Sequence, residues 1–471
     1  MRKKVLLINL PGISSAAPPI ALATLKGAIK DYHDVTCFDL NLYVNKALNI
    51  NEEFGSFHGD GMIQKIRFCI ENFLLRNKIG MAYYDVIGIS ILSQWQEKLA
   101  QITIELLKKY KSSKIVTGGP YFVYSNVQNF PLDFFKKNVD AYIVGDGEIS
   151  LKEYLNDNYA YPGINSYKYD IKFDRNSLPF PDYSDFNIRE YTEFNVAQSK
   201  GCVRKCAFCT VPAVWPKYVY KESNRMVQEI IFLYKNYLHQ LPGESKKIQF
   251  VDSLINGSKK LLIETSTQLI RYFGKNHNKF YYGGQAIATS KNHIPFEAYQ
   301  LAAQAGLRYL ITGVECGSEK VRWEMNKRFT DDDLVNLLEI CKSCNIKFVP
   351  LMLIGFPTET EDDFQKTLDL LEIFAKYGID WITPRNTSLM SLGPNMAITI
   401  DPKKYKIEAV HNNWHWSSEF HDLEERVSRA YRYAKKAQEL GLTSLDPDEF
   451  VNGCIPNLDD IYKQKGFSLV N

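Results

Sequence analysis

Over its first 155 residues the chain alternates short apolar runs with stretches whose apolar residues recur at helical spacing. Val5–Asn9, Val35–Asp39, Val86–Ser90, Lys114–Thr117 and Ala141–Val144 read as buried strands bounded by turn residues. Ile20–Lys30 reads as a helix, and Trp95, Leu99, Ile102 and Leu106 mark one face of another. Strand alternating with helix predicts an α/β, doubly wound, Rossmann-like parallel sheet over residues 1–158. Each strand closes in small or polar residues: Pro11-Gly12, Ser90 with Ser93 beyond it, Gly118-Gly119-Pro120, and Gly145-Asp146-Gly147-Glu148. In an open parallel sheet these carboxyl ends form the crevice where ligands bind, and Gly118-Gly119 lets backbone approach a flat, bulky one.

Residues 159–190, interrupted by Pro162, Pro179 and Pro181, read as a linker. A second series of strands follows at Asn195–Ser199, Lys247–Val251, Phe280–Ala286, Arg308–Thr312, Lys347–Ile354 and Asp380–Thr383, with Met226, Ile230, Leu233 and Tyr237 at helical spacing among them. Six strands with helices between them predict a partial (β/α)6 TIM barrel over 191–389. Thr330-Asp331-Asp332-Asp333 and Thr360-Glu361-Asp362-Asp363 read as helix capping boxes with Asp in place of Glu or Gln. From Met390 the pattern changes to a small helical C-terminal cap, residues 390–471, with a helix expected at Leu423–Leu440 and a shorter element at Asp446–Asp460. Its patch Asn412-Asn413-Trp414-His415-Trp416 suits a pocket lining or a packing belt equally. The insert Asn45–Met81 holds a helical stretch at Ile63–Leu75 and no evident chemistry.

Composition narrows the class. With 57 basic against 54 acidic residues among 471, the net charge of +3 supplies no field for a nucleic acid or an anionic membrane. No apolar run reaches the roughly 18 residues of a membrane span, so none is expected. The basic, apolar start Met1–Leu10 imitates a secretory leader, but Asn9 and Pro11 cut it short. An odd count of nine cysteines fits a reducing compartment, and a cytoplasmic location is expected.

Three of those cysteines, Cys202, Cys206 and Cys209, stand at C-x3-C-x2-C directly after a strand. Thiolates bind iron or zinc, and a closed zinc site or an electron-transfer cluster would want a fourth protein ligand nearby. None follows, so one metal position would stay open. The spacing, with an aromatic before the last cysteine, resembles the radical S-adenosylmethionine (SAM) enzymes. That resemblance implies a 4Fe–4S cluster on Cys202, Cys206 and Cys209, SAM on the fourth iron with Phe208 against its adenine, and release of a 5′-deoxyadenosyl radical. Gly313-Val314-Glu315-Cys316-Gly317-Ser318, followed by Met325-Asn326-Lys327, and Gly355-Phe356-Pro357-Thr358-Glu359-Thr360 are similar to motifs of one large subclass, with Cys316 where Ser is common and Thr358 where Gly is common. Asp252, Gln285, Glu315 and Ser318, at expected strand ends, have the chemistry to hold the cofactor's amine and hydroxyls. Cys316 is a candidate hydrogen-atom donor, although a tolerated Ser-to-Cys change accounts for it better.

The first domain resembles the cobalamin-binding domain that precedes the radical module in that subclass. By that likeness Gly12, Ser90, Ser93, Gly118, Gly119, Pro120, Gly145 and Glu148 face the corrinoid. The Asp-x-His-x-x-Gly cobalt-ligating motif is missing: Asp31-Tyr32-His33 continues Asp34-Val35-Thr36. The function implied is cobalamin-dependent methylation of an unactivated carbon on a small-molecule or peptide substrate, with an electron donor such as flavodoxin or ferredoxin. The alternatives are a radical epimerase, cyclase or rearranging enzyme without methyl transfer, and a non-catalytic zinc or corrinoid carrier. A methylthiotransferase would need a further amino-terminal cysteine triple, where only Cys37 and Cys69 lie. These two, with Cys341 and Cys344, read as packing residues.

Overall fold

The computed structural model describes residues 1–12, 14–49, 60–77, 79, 84–109, 113–128, 132–167, 174–290 and 293–454. Two compact units make up the chain: Met1–Val196 with Gln228–Lys247, and Ala197–Val227 with Ile248–Asn471.

In the first unit, β1 (Lys4–Asn9), β2 (Asp34–Asp39), β3 (Val86–Ser90), β4 (Lys114–Gly118) and β5 (Ala141–Tyr142) form a sheet in the order β2-β1-β3-β4-β5. Every neighbouring pair is parallel. The core of β1, Val5–Ile8, is enclosed because helices cover the sheet, and an all-apolar run can be satisfied only there. Leu22, Ala23 and Ile29 of the helix Ile20–Ile29 and Leu99, Ile102 and Leu106 of the helix Glu97–Leu107 supply buried faces. Trp95 departs from the expected face: it sits in the 3-10 turn Gln94–Gln96 and is 47% exposed. β5 ends early, with Ile143 making a single antiparallel bridge to Ile164. The strand order reverses between β1 and β3, so loops leaving their carboxyl ends diverge and open a crevice. The helix Asp60–Arg76 contains the expected stretch, while 50–59, 78 and 80–81 of the insert lie outside the described residues.

The second sheet is a half-barrel. β6 (Glu193–Val196) opens it, and a short antiparallel ribbon of β7 (Ser199–Lys200) and β8 (Val219–Tyr220) brackets the cysteine loop. With β9 (Lys247–Phe250), β10 (Tyr281–Ala286), β11 (Leu307–Glu315), β12 (Lys347–Ile354) and β13 (Thr387–Leu389), the order is β13-β12-β11-β10-β9-β6. The pairs from β10 to β13 are parallel. The sixth strand is displaced from the expected Asp380–Thr383. Asn386 explains the delay: its amide accepts from Thr383 N–H at 2.8 Å and donates to Trp381 C=O at 2.9 Å, building a turn around Pro384 before pairing with β12 begins. Both capping boxes form as expected, the short Asp333 and Asp363 carboxylates reaching back to Thr330 N–H and Thr360 N–H at 3.0 and 3.2 Å. Thr358 donates its hydroxyl to Glu324, which accounts for a residue larger than glycine there.

The C-terminal segment is not purely helical. An antiparallel hairpin of β14 (Ile407–Val410) and β15 (Trp416–Ser418) precedes the helices Leu423–Glu439 and Pro447–Cys454. Residues 455–460 of the expected last element lie outside the described residues. Trp416 and His415 are packing residues. Trp416 joins Met390, Leu392, Tyr405 and Ile407 in one apolar cluster with Ala207, Cys316 and Phe356, and the Arg426 guanidinium lies 3.7 Å from the centroid of its ring.

Candidate functional site

The cysteine loop begins where β7 ends. Gly201 has φ +81° and its missing Cβ would lie 2.3 Å from Lys217 C=O, so the close crossing of the two chain segments requires glycine. Arg204 N–H donates to Cys202 Sγ at 3.3 Å, and Cys209 N–H closes a turn on Cys206 C=O at 3.1 Å. All three thiols are half-buried. The loop is fastened to residues 325–326: Ala207 N–H donates to Met325 C=O at 2.9 Å and Asn326 Nδ2 to Lys205 C=O at 2.8 Å. Among the described residues no three His, Cys, Asp or Glu side chains gather closely enough to hold a single metal ion. An iron–sulfur cube bonds each thiolate to a different iron, so its ligands need not converge. Three half-buried soft donors on one short loop fit such a cluster. Burial pushes the Cys206 thiol up to about 11 and the Cys209 thiol above its ordinary value, against the pull of the Lys327 ammonium. Metal binding must therefore displace protons.

Beside this loop lies a buried ion pair. β11 runs past its expected end to Glu315, with a register shift between Gly313 and Glu315. Glu315 takes φ +74°, the left-handed region that non-glycine residues avoid, and its Oε1 meets Lys327 Nζ at 2.6 Å. A Cβ on Gly313 would sit 2.5 Å from that carboxylate and 2.6 Å from that ammonium. Burial alone would lower the Lys327 pKa, but Glu315 and the neighbouring thiols hold it above the ordinary value. Lys327 was visible in the sequence only as the end of Met-Asn-Lys. Nothing local announces its pairing with a residue twelve positions earlier.

The other candidates divide. Phe208 is half-buried in the cysteine loop, and Gln285 is exposed at the carboxyl end of β10. Asp252 is buried and occupied: it accepts from Gln198 N–H at 3.0 Å, from Ser199 N–H, and from the Ser199 hydroxyl at 2.5 Å. Burial pushes its carboxyl up to about 6 despite those bonds. Ser318 is fully buried as the cap of the helix Glu319–Glu324, donating to Asp363 Oδ1 at 2.7 Å. Cys316 is likewise enclosed, its thiol directed at Ser318 C=O at 3.5 Å within the apolar cluster. The thiol is fully buried, at a packing position. Asp252 and Ser318 thus have their oxygens engaged within the protein, Phe208 keeps a half-buried ring and Gln285 an exposed amide, and Glu315 is buried against Lys327.

In the first unit the expected residues gather at the carboxyl ends of the strands. Gly12, Gly119 and Gly145 all have positive φ, +104°, +109° and +91°, a region that glycine enters without strain. Gly119 also has a packing reason, since a Cβ there would lie 2.4 Å from Ile91 C=O. Pro120 opens the helix Pro120–Gln128, Ser93 precedes the 3-10 turn, and Glu148 lies in the first turn of Gly147–Leu155. Gln96, missed in the sequence, ties both sides of the switch point. Its Nε2 donates to Leu10 and Pro11 carbonyls at 3.0 and 2.9 Å, and its Oε1 accepts from Leu92 N–H at 2.7 Å. His33 sits at the opposite, amino end of the sheet, its Nδ1 accepting from Lys3 N–H at 3.3 Å.

The site is thus an α/β half-barrel bearing a three-thiol loop with no fourth protein ligand beside it among the described residues. Residues 197–371 match the radical SAM superfamily. It is 22% identical over 313 residues to a provisionally named methylthiotransferase of Methanocaldococcus jannaschii, covering 61% of this chain and 64% of that protein, less than two thirds of its length. It is 22% identical over 452 residues to an uncharacterised methyltransferase of Pyrococcus horikoshii, covering 89% and 88%. The fold is similar across both units to TsrM, a radical SAM methyltransferase from Kitasatospora setae solved with cobalamin and a [4Fe-4S] cluster. That likeness has a TM-score of 0.64 at 15% identity, over 95% of this chain and 90% of that one.

Proposed function

We propose that the chain is a radical SAM enzyme that uses cobalamin to methylate an unactivated carbon of a small-molecule or peptide substrate. The observation that carries the reading is the joining, in one chain, of the three-thiol half-barrel and a β2-β1-β3-β4-β5 sheet with positive-φ glycines in the turns after β1, β4 and β5. Cys202, Cys206 and Cys209 would hold the cluster. When bound, cluster and SAM supply a carbon radical by one-electron cleavage, and cobalamin supplies the methyl group.

The protein's own residues bind and orient. Phe208 offers a ring face for the adenine, Gln285 an amide for a ribose hydroxyl, and Glu315 a carboxylate for the amine. Asp252 acts on the protein itself, fixing Gln198-Ser199 at the entry to the cysteine loop. Ser90, Ser93 and the glycine turns after β1, β4 and β5 would face the corrinoid, and with His33 at the far end of the sheet its cobalt would take no ligand from that residue. A methylthiotransferase is the weaker reading. Cys37 and Cys69 are buried, and Cys37 directs its thiol at Leu22 C=O at 3.8 Å.

The test is anaerobic reconstitution with iron and sulfide, then incubation with SAM, hydroxocobalamin and a strong reductant. Formation of 5′-deoxyadenosine with about one corrinoid retained per chain is the expected result. The product without retained corrinoid would leave a radical enzyme of the epimerase or cyclase kind, and one zinc with no sulfide would overturn the enzyme reading.

A further inference from the structure

Lys327 binds nothing in the scheme above, yet it is only 7% exposed and lies beside the cysteine loop. Its Nζ is 5.7 Å from the ring centroid of Phe208, the residue between Ala207 and Cys209, and 2.6 Å from Glu315 Oε1. The residues just before it, Met325 and Asn326, fasten the same loop. Three features keep the charge there. Gly313 leaves room for it, the left-handed Glu315 turns its carboxylate inward, and the lysine stem is enclosed. Burying an ion pair carries a desolvation cost for each charge, and holding a non-glycine residue at positive φ adds strain. A salt bridge needed only for folding would be met more cheaply at the surface.

We infer that Lys327 sets the reduction potential of the cluster held by Cys202, Cys206 and Cys209, with Glu315 as the counter-charge that restrains it. This rests on the cluster reading above. On reduction the cluster takes one electron from an external low-potential reductant and gains one negative charge; no bond breaks and no proton moves. A fixed ammonium in a poorly screened surrounding favours the reduced state, and a carboxylate disfavours it.

The test is a redox titration, followed by electron paramagnetic resonance, of the full-length, reconstituted protein in the absence of SAM, with iron and sulfide counted for each variant. Lys327→Met is expected to make reduction at least about tenfold less favourable, a shift of about 59 mV to more negative potential for a one-electron couple. Lys327→Arg keeps the wild-type potential, and Glu315→Gln moves it to more positive values. Shifts of opposite sign are not what a merely loosened fold produces. A fully loaded Lys327→Met at unchanged potential, or a Glu315→Gln that does not rise, overturns the inference and leaves the enzyme reading intact. Wild-type protein holding zinc without sulfide removes the enzyme reading instead. Should Lys327→Met fail to hold a cluster, the direction of the Glu315→Gln shift decides alone.

Discussion

Cys316 shows how far residue chemistry can be read without its surroundings. A thiol at a motif position that usually carries serine suggests a hydrogen donor, but this one is fully enclosed among Ala207, Val321, Phe356 and Trp416. Cys316→Ser is expected to lower stability by about 1 kcal/mol, because a hydroxyl enters an apolar cluster with one acceptor, Ser318 C=O, in reach. Formation of 5′-deoxyadenosine per cluster is expected to stay within about twofold of wild type. Chemical denaturation and product assay check both, and a tenfold or greater loss of final product with 5′-deoxyadenosine retained would restore Cys316 as a donor. The cysteine triple was legible because its spacing is local. Asp252 and Ser318 were correctly placed at strand ends and have suitable chemistry, but their bonding capacity is taken up by Ser199 and Asp363, which are distant in sequence. Lys327 was not legible, since its role depends on a left-handed turn at Glu315 that no side-chain pattern encodes.

At the scale of elements, apolar runs and helical period located every strand of the first sheet to within a residue or two at most ends. The sixth strand of the half-barrel failed because Asp380–Thr383 carries the apolar residues while Asn386 controls where pairing starts. The hairpin of β14 and β15 was missed for a similar reason, its strands being only four and three residues long. The loop leaving that hairpin carries a pH-sensitive contact. His421 is buried, with Nε2 on Phe356 C=O at 2.9 Å and its ring edge-on to Trp416. Burial, then Arg426 and Arg429, push its pKa down to about 3, although Phe356 C=O and Asp422 favour the charged form. Between about pH 6.5 and 3 the unfolded chain therefore takes up a proton that the folded chain refuses, and stability falls as pH falls, by up to about 1.4 kcal/mol per unit from this group. His421→Gln, which retains a donor for Phe356, is expected to flatten that dependence in denaturation midpoints measured from pH 7 to 5. Equal slopes in the two proteins would count against it.

For the whole molecule, the linear order of the sequence is not the order of its compact parts. The first unit takes back Gln228–Lys247 after the cysteine loop has been made. That return completes its core: Tyr183 is fully enclosed, 5.1 Å from Phe194 and 5.5 Å from Tyr237 between ring centroids, and Phe180 stacks on Phe232 at 4.9 Å. Ile230, Leu233, Leu238 and Leu241 are all buried. At about 1.5–3 kcal/mol for each large apolar side chain removed from water, their loss is as large as the marginal stability of a domain. A fragment ending at residue 196 is therefore expected to lack a cooperative unfolding transition, and one ending at residue 247 to regain it. Near-ultraviolet circular dichroism during urea titration reads the difference, and a cooperative transition in the shorter fragment would contradict the expectation.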